Sequence, residues 1–188
     1  MNKLFTQIIF TLVIFFHGIF PVEAKIQPSP VNQDSSVPWS KVIEDNFEGK
    51  IVYDKNFDGF GQSAIVSSWS KQAIRLTSFW QEKKIDYYRQ VQRTRTVRRN
   101  NKNVEEVYWE SEPVYKTVWY TKNPESIMFS IRGQVYTYEG GKISEELVSA
   151  LAHAPEGNVT IRLVWEDGST TDTVIGSGTV KAWKTIYE

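Results

Sequence analysis

Alternation between apolar and polar residues is clearest near the end of the chain. The apolar positions of residues 159–165 fall on every second residue, at Val159, Ile161, Leu163 and Trp165. This period of two is typical of a half-buried β-strand. Asp167-Gly168 follows directly and is a strong signal for a hairpin turn. We therefore predict a hairpin whose second strand covers residues 170–175, followed by a last strand over residues 179–187.

The middle of the chain also favours strands. Residues 85–99 and 104–120 are rich in Val, Thr, Tyr and Trp, which pack well on pleated sheets. The polar cluster Asn100–Asn103 between them predicts a four-residue turn. Another strand is predicted over residues 126–138, with Gly133 as a bulge. Residues 63–80 fit both helical and strand spacing, and only their C-terminal end favours a strand.

One short helix interrupts the strands, over residues 144–153. Ser144 can cap its N-terminus, and Glu145 and Glu146 in its first turn complement the helix dipole. Many short strands with a single helix predict a mainly β fold. We expect an antiparallel sandwich or a partly closed barrel, with the short helix near the C-terminal third.

The N-terminal sequence predicts a targeting segment. A charged start precedes an apolar run, and Val22 and Ala24 stand at the small-residue positions of a cleavage site. Residues 1–24 are therefore predicted to be a signal peptide, and an uncleaved anchor is the alternative. The proline-rich residues 25–38 predict a flexible leader. Residues 39–188 then form a single β-rich domain, with no integral membrane segment after cleavage.

Composition narrows the class of protein further. The chain has 22 basic and 22 acidic residues, and this neutrality argues against binding to nucleic acid. It has no cysteine, so it forms no disulfide framework. An exported chain without cysteine indicates a periplasmic or extracellular protein, and favours a bacterial source.

Charge is unevenly distributed along the two central strands. Eight Lys and Arg residues lie between Lys83 and Lys102, and four Glu residues follow between positions 105 and 112. A four-residue turn would place Arg98 opposite Glu105 and Arg93 opposite Glu110, so that the strands neutralise each other. Two alternatives are an anion-binding patch and a hairpin arm exposed on both faces.

Aromatic and Arg residues on this hairpin form the predicted ligand-binding surface. Tyr and Trp offer an apolar body with a polar tip, which suits contact with sugars and proteins. The alternative is that they fill a β-core. The predicted ligand-binding residues are Arg93, Arg95, Tyr108, Trp109, Trp119 and Tyr120.

A possible calcium loop lies in the sequence DKNFDG. Asp54, Asn56 and Asp58 match its first three ligand positions, and Gly59 matches the sharp turn. Position 12 of such a loop should be Glu, and here it is Ile65. A calcium site on these three residues and a polar turn that bonds its own backbone are the two interpretations.

Catalytic motifs are sparse. After residue 24 the chain has a single histidine, His153, and no nucleotide-binding glycine pattern. Adjacent carboxylates are the remaining catalytic candidates, at Glu105/Glu106, Glu110/Glu112 and Glu166/Asp167. We therefore expect a non-enzymatic exported binding module that contacts a glycan or a protein of the cell envelope. A carboxylate-dependent hydrolase of an envelope polymer and a purely structural envelope protein are the alternatives.

Overall fold

A computed structural model describes residues 25–57 and 61–188 of the chain. The predicted signal peptide and Asp58 lie outside the described residues. The elements, in chain order, are β1 (Val42–Asp45), β2 (Gly49–Phe57), β3 (Ser63–Ser70), β4 (Ile74–Arg99), β5 (Lys102–Lys122), β6 (Ser126–Ile131), β7 (Gln134–Tyr138), α1 (Glu145–Ala152), β8 (Val159–Val164), β9 (Thr170–Ile175) and α2 (Ser177–Tyr187).

The strands form two antiparallel sheets. The first has the order β1-β2-β3-β4-β5, and the second has the order β7-β6-β8-β9. The sheets are not closed into a barrel. The prediction of a mainly β, antiparallel fold with one short helix near residues 145–152 is confirmed, and a C-terminal helix adds to it.

The core lies where the two sheets and α2 meet. The ring of Trp69 on β3 lies 4.8 Å from that of Trp183 on α2, centroid to centroid, and 6.0 Å from that of Phe129 on β6. All three side chains are fully buried. Large aromatic side chains of this kind dominate the energetics of small cores, so these contacts hold the sheets and the helix together.

Two local predictions are confirmed. Ser144 caps α1, because its Oγ accepts a hydrogen bond of 3.2 Å from the backbone N–H of Leu147. Strands β8 and β9 form the predicted hairpin, and Gly168 adopts a φ of +76° in the turn. Glycine takes this left-handed conformation without steric cost.

The prediction of a last strand over residues 179–187 is wrong, because this segment is the helix α2. β-branched and aromatic residues favoured a strand by propensity. The buried positions of α2 nevertheless follow helical spacing, and tertiary burial decides the outcome. These positions are Thr179, Val180, Ala182, Trp183, Ile186 and Tyr187.

The single strand predicted over residues 126–138 is instead the hairpin β6–β7. Its turn is Arg132-Gly133, and both residues have positive φ, of +51° and +79°. This is the backbone of a two-residue turn whose twist matches that of the strands. The ambiguous residues 63–80 contain β3 and the start of β4, so they are extended at both ends.

The N-terminal segment 25–38 has no regular secondary structure, and part of it lies against the first sheet. Ile26 is only 2% exposed. The backbone N–H of Leu76 donates to the carbonyl of Gln27 at 3.1 Å, and the N–H of Ser29 donates to Thr77 Oγ1 at 2.9 Å. The segment thereby covers the edge of β4 just before β5 begins to pair with it.

Candidate functional site

A long hairpin arm extends from the first sheet. We define the arm as residues 82–118, whose end residues Glu82 and Val118 lie directly opposite each other on β4 and β5. The β4 part of the arm, from Glu82 to Arg99, spans roughly 55 Å at about 3.3 Å per residue. Residues 78–123 are all described, and none of them is buried. The arm therefore contributes surface to the protein and no core.

The turn at the tip sets the register of the arm. It consists of Asn100 and Asn101, with φ values of +48° and +60°, so it has two residues and not the four that we predicted. Asn tolerates this left-handed backbone better than most residues. Strand pairing then places Arg98 opposite Asn103 and Arg93 opposite Tyr108. The predicted Arg98–Glu105 and Arg93–Glu110 facing pairs are wrong by two residues.

The charged residues nevertheless neutralise one another across the strands. Arg93 Nε lies 2.6 Å from Glu110 Oε2, and Arg93 also pairs with Glu112. Glu112 in turn pairs with Arg89 at 3.2 Å. The carboxylates of Glu112 and Glu110 raise the pKa of Arg93. Arg89 and Glu112 lie directly opposite each other. The Arg93–Glu110 contact is diagonal, since a long side chain reaches a neighbour two residues away from its direct partner, here Tyr108.

The ion pairs share one face of the arm, which we call the ion-pair face. Nearer the tip, Glu106 pairs with Arg99 at 2.5 Å and with Arg95 at 3.4 Å. The guanidinium carbon of Arg95 also lies 5.3 Å from the ring centroid of Tyr108. By strand pairing, the face comprises Tyr87, Arg89, Val91, Arg93, Arg95, Val97 and Arg99 of β4, and Lys102, Val104, Glu106, Tyr108, Glu110, Glu112 and Val114 of β5.

The opposite face, which we call the aromatic face, has a different chemistry. Trp109 is 66% exposed on it, and Tyr88 and Tyr115 are also exposed. Between Val107 and Tyr115 this face has no charged side chain. Its residues there are Ile85, Tyr88, Gln90, Gln92 and Thr94 of β4, and Val107, Trp109, Ser111, Pro113 and Tyr115 of β5.

A β-bulge at Asp86 marks the inner part of the arm. The pairing shifts by one residue between Ile85 and Tyr87, and Asp86 pairs with Lys116 at 2.8 Å. Bulges bend a strand and increase its twist. Because β5 is uninterrupted, the aromatic face continues toward the body through Thr117 to the exposed Trp119.

The base of the arm is held by stacked rings. Trp80 and Tyr120 are opposite each other, with centroids 5.5 Å apart and planes 21° apart. Lys84 Nζ lies 4.8 Å from the centroid of Tyr120. A hydrogen bond to Tyr120 raises the pKa of Lys84. The stacked pair lies at the end of the arm that joins the first sheet.

The structure divides the predicted ligand-binding residues between three places. Arg93, Arg95 and Tyr108 lie on the ion-pair face, where Arg93 pairs with glutamates of β5 and Arg95 contacts the ring of Tyr108. Trp109 and Trp119 lie on the aromatic face, and Tyr120 lies at the stacked base. Tyr88 and Tyr115 were not among the predicted residues, although they share the face of Trp109. The sequence does not reveal the bulge at Asp86, which shifts the alternation of β4 by one residue. Without that shift, Tyr88 would be expected on the face opposite to that of Ile85.

Two of the three calcium candidates, Asp54 and Asn56, lie in strand β2 and not in a loop. Asp54 is 4% exposed on β2, and its Oδ1 accepts hydrogen bonds from Thr179 Oγ1 at 2.5 Å and Ser40 Oγ at 3.2 Å. Burial raises the pKa of Asp54, and both hydroxyls oppose that rise. The amide nitrogen of Asn56 donates to Thr173 Oγ1 and to the Val174 carbonyl, at 3.1 Å and 3.0 Å.

Within residues 25–57 and 61–188, no group of three or more His, Cys, Asp and Glu is arranged to hold a metal ion. Two of the three proposed calcium ligands, Asp54 and Asn56, are hydrogen-bonded to other protein groups. The third, Asp58, lies outside that range.

The adjacent carboxylates considered for catalysis are dispersed. Glu110 and Glu112 both pair with Arg93, on the exposed ion-pair face of the arm. Glu105 and Glu106 point to opposite faces of the arm, as neighbours in a strand do. Asp167 accepts hydrogen bonds from Ser169 in the β8–β9 turn, and these lower the pKa of Asp167.

Comparison of the chain with models of protein families, with curated proteins and with solved structures finds no match. Among the described residues, neither helix has the length and apolar character needed to cross a membrane.

Proposed function

We propose that this protein is an exported binding module that contacts a glycan or a protein of the cell envelope through its projecting arm. The observation that carries the proposal is the arm itself, an extended ribbon exposed on both faces with a row of exposed aromatic side chains on one of them. Export follows from the predicted signal peptide, and N-terminal sequencing of the secreted protein should find Lys25 first.

The physical cost of such an arm supports a binding role. An isolated two-stranded hairpin is at best marginally stable in water. This arm is stabilised by ion pairs on one face, yet it leaves Trp109, Tyr88 and Tyr115 in contact with solvent on the other. Exposed aromatic groups clustered on one face are typical of interaction surfaces. A purely structural role would instead bury these rings against the body.

The arm can be removed without cutting into the core. In the test variant, residues 83–117 are replaced by Asn-Gly, which joins Glu82 to its direct partner Val118. A two-residue turn of this composition suits a hairpin. We expect the variant to unfold at the same urea concentration as the full protein, because the buried side chains lie outside the arm.

Binding is then measured by co-sedimentation with isolated bacterial cell envelopes. We expect the full protein to pellet and the shortened variant to stay in solution. Pelleting of both proteins would place the contact on the body, and pelleting of neither would contradict an envelope-binding role. The assay is run in calcium and again in EDTA, and we expect equal binding, since Asp54 and Asn56 lie on β2 and not on the arm.

A further inference from the structure

We propose that the aromatic face of the arm binds an uncharged polysaccharide chain that lies lengthwise along β5, across Trp109, Tyr115 and Trp119. This inference rests on the proposed function and adds to it the face that binds and the class of ligand. Three features of the arm support it: the charge of this face, the spacing of its rings and the chemistry of its free edges.

The charge of the face favours an uncharged ligand. The arginines of the other face are already paired, since Arg93 contacts two carboxylates and Arg99 contacts Glu106. Between Val107 and Trp119 the aromatic face carries one Lys or Arg side chain, Lys83, which lies opposite Thr117. The aromatic face offers amide and hydroxyl groups between its rings, from Gln90, Gln92, Thr94 and Ser111. Such groups donate and accept hydrogen bonds without charge, which matches the hydroxyl groups of a sugar chain.

The spacing of the rings favours an elongated ligand. Trp109 and Tyr115 are six positions apart, or about 20 Å, and Tyr115 and Trp119 are four positions apart, or about 13 Å. Hot spots of protein–protein interfaces instead cluster near the centre of a compact patch. Rings this far apart cannot form one such cluster, but they can each stack on a different sugar ring of one chain.

A second copy of the protein is a poorer occupant. Two β4 edges brought together would place basic residues opposite basic residues, and like charges facing each other are destabilising. On β5, Pro113 lies in the outermost strand of the sheet, where it has no N–H to offer to an added strand. Both edges therefore resist pairing with another strand, so a ligand is expected to bind to a face of the arm and not to an edge.

Two adjacent tyrosines provide a matched test of the face. Tyr88 is 60% exposed on the aromatic face, and Tyr87 is 57% exposed on the ion-pair face. The probe is insoluble wall polysaccharide that has been stripped of protein and of acidic polymers. We expect Tyr88→Ala and Trp109→Ala each to weaken binding at least about tenfold. We expect Tyr87→Ala to bind as the unmodified protein does.

Salt and the comparison of stripped polysaccharide with untreated envelopes separate this inference from the proposed function. Binding to the stripped polysaccharide should persist in 1 M NaCl, because screening affects only charged contacts. Loss of binding in salt, or equal loss in Tyr87→Ala and Tyr88→Ala, would overturn the uncharged aromatic-face assignment. Arm-dependent binding to untreated envelopes but not to the stripped polysaccharide would also overturn it, in favour of a protein or charged partner, while leaving the proposed function intact.

Discussion

At the scale of single residues, the buried carboxyl of Asp54 links three parts of the body. It accepts hydrogen bonds from Thr179 at the start of α2 and from Ser40, which has a φ of +57°. Because burial raises the pKa of Asp54 above its ordinary 3.8, the folded protein binds its proton more tightly than the unfolded chain. This contribution to stability is fully present below pH 3.8 and is lost as the pH rises through the folded pKa.

We predict that Thr179→Val destabilises the protein by about 1–3 kcal/mol at pH 7. Valine fills the same space but cannot donate to Asp54, so the pKa of Asp54 rises further. The loss of stability should therefore be smaller at pH 4 than at pH 7, as measured by urea unfolding at both values.

The control is Thr185→Val, at an exposed position of the same helix. It should change stability by less than about 0.5 kcal/mol at either pH. A Thr179→Val cost that is the same at both pH values would show that the hydroxyl does not act through the carboxylate.

At the scale of elements, the two-residue turn at Asn100-Asn101 sets the register of the arm. The chain has no cysteine, so an introduced pair is free of background disulfides. Thr94 lies directly opposite Val107, at a distance that a disulfide can bridge. We predict that Thr94→Cys/Val107→Cys oxidises to an intramolecular disulfide, detected by mass spectrometry.

The comparison pair is Thr94→Cys/Trp109→Cys, which faces across the strands only in the four-residue-turn register. In the observed register these two positions are diagonal, roughly 7–8 Å apart and too far for an unstrained disulfide. Efficient oxidation of this second pair, with little of the first, would contradict the two-residue turn.

Sequence reasoning predicted much of the architecture, for identifiable reasons. The cap at Ser144 and the turn at Asp167-Gly168 are local signals, and both are confirmed. The helix α2 was missed because propensity was weighted above the spacing of its buried residues. The turn Arg132-Gly133 was missed because arginine is not a typical residue of such turns.

The candidate site was predictable in part. Our register for the arm was wrong by two residues, and a shift of two leaves each side chain on the same face. Trp109 and Tyr108 lie on opposite faces in either register, although we had grouped them in one predicted ligand-binding surface. The diagonal ion pairs and the bulge at Asp86 depend on three-dimensional twist and reach, which no short sequence motif encodes.

At the scale of the whole molecule, the chain combines a two-sheet body with an arm that leaves it. The core joins both sheets to α2 through Trp69, Trp183 and Phe129. The N-terminal segment closes the edge of β4 below the arm. Folding and contact with a partner are thus assigned to different parts of one chain, and each can be altered separately.

Oxidative footprinting of the protein bound to cell envelopes tests the central claim most directly. Hydroxyl radicals modify exposed aromatic side chains, and mass spectrometry locates the modified residues. Binding through the aromatic face predicts protection of Trp109 and Tyr88, with Tyr87 and the exposed Phe47 of the body modified as in the free protein. Protection of Phe47 with no change at Trp109 and Tyr88 would contradict the assignment of binding to the arm.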